Sequence, residues 1–279
     1  MATFVTRDGC NLRYEIAGTG TLIALTPGGR EGKDALAALA SALSQRARVL
    51  TWDRRNTGAS DLYFGGDGTE QQVWADDLAD LIAHLGLGPA WLAGGSAGFR
   101  VSLIAAIRHP QAALGLVIWS ASGGAYGSQF LGFQYHVPYI MAAERGGMAE
   151  VAATPFFAAR IAANRANRDR LLALDPAEFI ATLKRWNQVF YHREDTPVVG
   201  ATADELRRLC LPTLIFEGND DIHPPQVAAA VAGLIPGARL RPSPWPREAW
   251  MDLFTGRRPG TVFDLYPQLA PEILEFIGA

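Results

Sequence analysis

The chain has 279 residues, of which 49% are hydrophobic and 19% charged, with a formal net charge of -3. This composition suits a sizeable buried core and excludes an intrinsically disordered chain. Runs of Lys and Arg never exceed two residues and the net charge is slightly negative, which argues against a polyanion-binding protein. The two cysteines, Cys10 and Cys210, cannot staple a disulfide scaffold and are expected as buried small hydrophobes. No apolar run approaches the ~18 residues of a membrane span. The first residues, Met1 to Gly9, lack the apolar segment of a secretory leader, so a cytoplasmic protein is expected.

In chain order, Val5-Thr6-Arg7, Asp8-Gly9 and Cys10 to Ile16 read as a hairpin with Asp-Gly at the turn. Leu22 to Thr26 is an apolar run ended by Pro27-Gly28-Gly29, a buried strand. A helix is expected over 34–43, a strand over 48–52, and an amphipathic helix over 69–85 with Asp76, Asp77 and Asp80 on its wet face. Ala90 to Ala93 is a strand that runs into Gly94-Gly95-Ser96-Ala97-Gly98, and a helix follows to about Arg108, stopped by Pro110. Leu116 to Trp119 is the next strand.

This βαβ rhythm predicts an α/β fold with a mostly parallel central sheet and helices on both faces. The rhythm pauses over 122–208, where strand signals are few and aromatics many, including Phe130, Tyr135, Tyr139, Phe156, Phe157 and Trp186. That segment reads as an inserted helical cap between two core segments, 1–121 and 209–279. The rhythm resumes with a strand over 213–217, a helix over 224–235, a strand near Arg239-Leu240 and a last helix over 269–277.

The sharpest chemical signal is Gly94-Gly95-Ser96-Ala97-Gly98, a G-x-S-x-G pattern with a strand before it and a helix after it. A turn this sharp requires small flanking residues and lifts Ser96 Oγ above the carboxyl end of the sheet. There the helix N-terminus faces any negative charge that develops. Pro27 to Gly32 follows an earlier strand, and the N–H groups of Gly29 and Ala97 are placed to form an oxyanion hole. No G-x-G-x-x-G opens the first βα turn, which argues against dinucleotide binding.

The third motif is Trp52-Asp53-Arg54-Arg55-Asn56-Thr57-Gly58-Ala59-Ser60-Asp61. With it, the chain resembles the α/β-hydrolase superfamily with a helical cap, along essentially its whole length. That family places Asp-x-Arg-Gly-x-Gly-x-Ser in this loop. Asp53, Arg55, Gly58 and Ser60 match, while Asn56 stands at the first glycine. The resemblance implies a structural role for the loop. It further implies a triad acid in Gly-x-x-Asp after a late strand, which selects Asp221 in Glu217-Gly218-Asn219-Asp220-Asp221, with Asp220 the near alternative.

The family order Ser, acid, His then requires a histidine after the last strand. Leu240 to Trp250 contains none, and no histidine follows His223. A serine hydroxyl is a poor nucleophile without a base beside it. Arg247 stays protonated, and Glu248 accepts a proton only with a raised pKa. His84 and His109 read as solvated or packing residues, and His136 and His192 lie in the cap. His223 sits two positions beyond Asp221, on the same side of an extended chain, outside the carboxyl end of a strand. The expectation is that His223 replaces the missing base, held by Asp221 or Asp220.

Arg30, Tyr135, His136 and Trp245 are the candidates for contacting substrate, with Arg30 a possible partner for a carboxylate. Arg55 belongs to its loop. His and acidic residues cluster only in the weak triplet Asp220, Asp221 and His223, so no metal and no cofactor is expected. The expected partner is a small-molecule substrate, with no nucleic acid and no membrane; the oligomeric state is not legible. The favoured function is a serine hydrolase acting through Ser96 on an ester, lactone or related carbonyl compound of small to medium apolar character. A lyase, isomerase or cyclase on the same fold, and a ligand-binding protein, remain as alternatives. By the same resemblance, a dehalogenase or epoxide hydrolase would carry Asp at position 96.

Overall fold

Apolar runs become the central strands. In the computed structural model, which describes residues 1–66 and 68–279, β1 (Ala2–Val5) and β2 (Asn11–Ala17) form the expected hairpin. β3 (Leu22–Thr26), β4 (Arg48–Asp53), β5 (Ala90–Gly95), β6 (Ala113–Trp119), β7 (Thr213–Phe216) and β8 (Arg239–Arg241) follow. Among the described residues the sheet has eight strands in the order β1-β2-β4-β3-β5-β6-β7-β8. The pairs β1–β2 and β2–β4 are antiparallel, and every pair from β4 to β8 is parallel. β3, β5 and β7 are buried throughout, as strands covered on both faces must be.

Helices fill the connections. α1 (Ala37–Leu43) follows a 3-10 turn at Lys33–Leu36. α2 (Glu70–Leu85) starts at Thr69, which forms a capping box with Gln72. α3 (Ala97–Arg108) leads to β6. Between β6 and β7 the chain passes through α4 (Gly124–Ala153), α5 (Pro155–Ala163), α6 (Ala166–Leu172), α7 (Pro176–Asn187) and α8 (Ala203–Arg207). α4 breaks at Gly146 and Gly147, whose backbone is non-helical. α9 (Pro225–Leu234), α10 (Arg247–Phe254), a 3-10 run at Val262–Leu269 and α11 (Ala270–Ile277) complete the chain. α10 and the 3-10 run are absent from the sequence-based expectation. No helix among the described residues is long and apolar enough to cross a membrane.

The period-2 alternation of each strand divides the core in two. Leu22 and Ala24 of β3, with Leu116 and Ile118 of β6, face α2, α3 and α9. Ile23 and Leu25, with Val117 and Trp119, face α1 and α11. A separate cluster ties Phe157, Phe179 and Trp186 of the insertion to Leu62 and Phe64 of the core loop. The end of the insertion packs differently from its helices. Val198, Ala201 and Leu206 join the cluster under α3 and α9, so apolar packing with the core begins before residue 208.

Two local expectations are corrected. Asp77 is not on a wet face: it is buried and receives Arg55 Nε and Nη2, each at 2.7 Å. Arg55 Nη1 reaches Asp8 Oδ2 at 2.8 Å, which ties the β1–β2 turn to α2. Cys10 is buried, but Cys210 is exposed in the turn before β7. Because Arg55 is itself buried, Asp77→Ala removes its one buried counter-charge and leaves it only the more exposed Asp8. The expected cost is about 3–5 kcal/mol of unfolding free energy, read by urea denaturation. A loss under about 1 kcal/mol, as for an exposed pair, would refute this account of the loop.

Candidate active site

The register of the parallel strands brings their carboxyl ends level. Thr26 pairs with Gly94, Gly95 with Trp119, and Trp119 with Phe216. The residues that leave these strands therefore emerge along one edge, where ligands of open α/β sheets bind.

Ser96 stands between β5 and α3 with φ 55° and ψ -111°. This backbone is costly for a residue with a Cβ, by about 1–3 kcal/mol. It is held by close packing on either side. A Cβ on Gly94 would lie 2.6 Å from the Gly98 carbonyl carbon, and one on Gly98 would lie 2.1 Å from Thr26 O. Ser96 N–H donates to Trp119 O at 3.2 Å. The amide of Ala97, the first residue of α3, is among those that no helical carbonyl reaches.

His223 lies across the sheet from Ser96. Its Nε2 is 2.9 Å from Ser96 Oγ, and its Nδ1 is 2.9 Å from Asp220 Oδ2. Ser96, His223 and Asp220 are all buried. An ionised carboxylate only accepts, so Nδ1 carries the proton toward Asp220 and Nε2 accepts the serine proton. Asp220 Oδ1 also accepts the N–H groups of Ile222 at 2.8 Å and His223 at 3.0 Å. Burial raises the Asp220 pKa, but the His223 hydrogen bond, the positive charge of His223 when protonated and these two N–H groups outweigh it. The carboxyl titrates below the usual range.

The expected acid, Asp221, is corrected by this geometry. Its side chain is 68% exposed and pairs with Arg247 Nη2 at 3.0 Å. Extended geometry would have aligned residues 221 and 223. Instead residues 220–223 bend, and the i,i+3 pair converges. The loop folds so tightly that a Cβ on Gly218 would lie 2.2 Å from His223 O.

Aromatics stand where the late histidine was sought, after β8. Trp245 is 2% exposed, stacked between Trp250 and Tyr266 at 6.0 and 5.6 Å. Trp250 meets the His223 ring edge to face at 5.8 Å. Asn219 Nδ2 donates to Trp245 O at 2.7 Å, and Arg247 Nη1 donates to Asn219 O at 3.0 Å, joining the two loops.

A cavity of ≈ 320 Å³ opens on Ser96 and His223. Gly28, Gly29, Arg30 and Glu31 form one wall, Leu131, Gln134, Tyr135, Tyr139 and Phe156 of the insertion another. Trp250, Phe254, Val262 and Phe263 supply a third. This third wall comes from the two helical elements that sequence reasoning missed. The signal for the second of them was present in the Thr261–Asp264 capping box ahead of an apolar run.

The candidate contact residues separate. Tyr135 lines the cavity. Trp245 and His136 do not, because both are buried in aromatic packing. His136 Nδ1–H donates to Gly132 O at 3.1 Å and its ring lies 5.6 Å from Phe190. Burial, and then the nearby Arg30 charge, push its pKa down to about 4. Arg30 lines the cavity, but Glu70 takes Nη1 at 2.9 Å and Nη2 at 2.7 Å. Its charge is thus already matched, which removes the reason to expect a carboxylate partner. Gly29 lines the cavity with φ 52°. Asn56, which departs from the loop pattern, has φ 67°, a region that Asn tolerates. Its Nδ2 donates to Glu70 Oε1 at 3.1 Å. His84 and His192 are exposed, and His109 pairs with Asp76 at 2.6 Å. Among the described residues, no three His, Cys, Asp or Glu side chains converge as a metal-holding group.

A family model described as alpha/beta hydrolase fold matches residues 21–252. The chain is 28% identical over 244 residues to the protein named "Putative carbamate hydrolase RutD" of Azorhizobium caulinodans, spanning 86% of this chain and 89% of that one. It is 33% identical over 103 residues to "Uncharacterized hydrolase YraK" of Bacillus subtilis; that match spans 37% of this chain and only 38% of the relative. Among solved structures, a hydrolase from Pseudomonas aeruginosa is similar with a TM-score of 0.64 and 22% identity, over 100% of this chain and 98% of that chain. With its parallel sheet, its sharp strand-to-helix turn at Ser96 and a family match over most of its length, the chain belongs to the α/β-hydrolase fold family.

Proposed function

We propose that the chain is a serine hydrolase in which Ser96 is the nucleophile, His223 the general base and acid, and Asp220 the carboxylate that orients the imidazole. The observation that carries this reading is the unbroken chain of hydrogen bonds from Ser96 Oγ through His223 to Asp220, 2.9 Å at each step. Ser96 Oγ attacks a carbonyl carbon as its proton passes to His223 Nε2. The N–H groups of Gly29 and Ala97 hold the resulting oxyanion. The intermediate collapses, and the leaving group departs with the proton from His223. Water then attacks the acyl-enzyme, gives its proton to His223, and the acid product leaves as Ser96 recovers that proton.

The substrate is an ester, lactone or related carbonyl compound of small to medium size and largely apolar character. Its class is supported by the ≈ 320 Å³ cavity walled by Leu131, Tyr139, Phe156, Trp250 and Phe263. The neutralisation of Arg30 by Glu70 favours an uncharged ligand in the same cavity. The name of the Azorhizobium relative, a carbamate hydrolase, agrees with attack on a carbonyl carbon.

A fluorophosphonate probe is expected to label the wild-type protein at Ser96 and to leave Ser96→Ala unlabelled, read by intact-protein mass spectrometry. His223→Ala should slow labelling by about 100-fold or more. Labelling elsewhere, or undiminished labelling without His223, would end the proposal. The two adjacent carboxylates give a second test, with 4-nitrophenyl acetate hydrolysis as the assay. Asp220→Asn should lower kcat by roughly 10³–10⁴-fold through loss of the correct tautomer. Asp221→Asn should stay within about threefold of wild type, because an exposed ion pair contributes little. The reverse ranking would return the acid role to Asp221.

A further inference from the structure

We propose that Arg54 is a positioning residue of the oxyanion hole, its buried guanidinium polarising the Gly28–Gly29 peptide and so stabilising negative charge on the reacting oxygen. The proposal rests on the Ser96 reading given above. Arg54 directly follows β4 and is fully buried. Its Nη2 donates to Gly29 O and Glu31 O, each at 3.1 Å, and lies 3.5 Å from Gly28 O. Three carbonyls of the loop after β3 thus turn toward one cation.

The consequence follows from the planar trans peptide, in which C=O and N–H point in opposite directions. Among the described residues no peptide bond is cis. Gly28 O accepts the Glu31 N–H at 3.2 Å and lies 3.5 Å from Arg54 Nη2, so the Gly28–Gly29 peptide presents its carbonyl end to the guanidinium and directs the Gly29 N–H away from it. Ser96 lies close to this peptide: a Cβ on Gly28 would be 3.6 Å from Ser96 Cβ. Gly28, Gly29 and Ser96 line the same cavity. A cation at the carbonyl end of a peptide withdraws electron density and strengthens the N–H as a donor.

The charge itself is unmatched. Glu70 is engaged by Arg30 through both oxygens. Arg54 Nε and Nη1 have no hydrogen-bond partner among the described residues. The face of Trp74 lies 4.5 Å from Arg54 Cζ and supports the cation from below. Burial lowers the Arg54 pKa to about 10, which leaves it charged near neutrality. A buried cation without a carboxylate is expensive for folding. Under the oxyanion loop, it gains a counter-charge only when the reacting carbonyl oxygen becomes negative.

Trifluoromethyl ketones test this without a known substrate. Ser96 Oγ adds to the ketone carbon, the proton moves to His223, and the carbonyl oxygen becomes the hemiketal oxyanion. The affinity ratio of 1,1,1-trifluoro-4-phenylbutan-2-one to 4-phenylbutan-2-one therefore reads oxyanion stabilisation. In Arg54→Gln, which keeps neutral donors and loses the charge, the ratio should fall about 10-fold, with methyl ketone affinity unchanged. Arg54→Lys should hold the ratio above the Gln variant. Relative to wild type, its ratio should fall as pH rises between about 7 and 10 and the buried ammonium loses its proton. A residue that merely braces the loop would lower the melting temperature and leave the ratio alone. A ratio within about twofold of wild type in folded Arg54→Gln overturns the proposal. If that variant does not fold, a pH-independent ratio in Arg54→Lys overturns it. Failure of the Ser96 reading is visible separately, in the wild type, as a trifluoromethyl ketone that binds no tighter than its methyl ketone; the Arg54 proposal then falls with it.

Discussion

The contact on which the site depends is the hydrogen bond between His223 Nε2 and Ser96 Oγ, which closes a gap of 127 residues in sequence. Neither residue is held there by its own loop alone. Ser96 leaves β5 and His223 follows β7, with β6 between them. The distance between the two side chains is therefore set by two parallel strand pairings, Gly95 with Trp119 and Trp119 with Phe216. Trp119 takes part in both, and its carbonyl also accepts the Ser96 N–H. Its ring is fixed against Tyr266 at 5.3 Å, beneath the third wall of the cavity. A shift in this register would move the serine and the imidazole relative to one another before it disturbed either loop.

Placing the imidazole and its carboxylate three residues apart has its own physical consequence. The Asp220 carboxylate accepts two backbone N–H groups and the imidazole N–H from the same short bend, so its orientation does not depend on a second loop. That concentration of donors also holds the carboxyl ionised despite its burial. The loop after β8 then supplies neither the imidazole nor its carboxylate. It contributes instead the Trp245–Trp250 stack, whose nearer ring packs on His223, and the Arg247 clamp on Asn219 and Asp221. The imidazole is thus bounded by an aromatic edge on one side and by its own loop on the other.

Much of this was legible in the sequence because the determining signals are local. The strands are short apolar runs bounded by Gly and Pro, and Gly94-Gly95-Ser96-Ala97-Gly98 encodes its own turn. The choice between Asp220 and Asp221 was not legible. The period-2 rule aligns positions 221 and 223 on an extended stretch, whereas the chain bends there and aligns 220 with 223. Burial of Asp77 was hidden for a related reason. Its position on the helix faces Arg55, 22 residues earlier, and a helical wheel does not show a distant partner. Trp245 and His136 were misjudged because composition reports aromatic content and not which rings reach the cavity. The third cavity wall was missed because helix α10 is short and lies among Pro, Gly and Arg residues.

The arginines around the site divide by what they face, and that division bears on the ligand. Arg30 borders the cavity and receives a bidentate carboxylate from Glu70, while Asn56 donates to Glu70 Oε1 as well. An unmatched guanidinium at that wall would draw anionic ligands and water toward Ser96. Matched, it offers an almost neutral surface, continuous with the rings of Tyr135 and Phe156 that it overlies at 5.0 and 5.7 Å. Arg54 does not border the cavity. It touches the loop after β3 through the carbonyls of Gly28, Gly29 and Glu31, where its charge does not reach a ligand in the cavity directly. Arg100, on the first turn of α3, is likewise buried and donates to Gln71 and Ser122 rather than to an acid. On the proposed mechanism, Arg54 thus places positive charge behind the backbone of the loop after β3, whereas the charge of Arg30 is matched by Glu70 at the cavity wall.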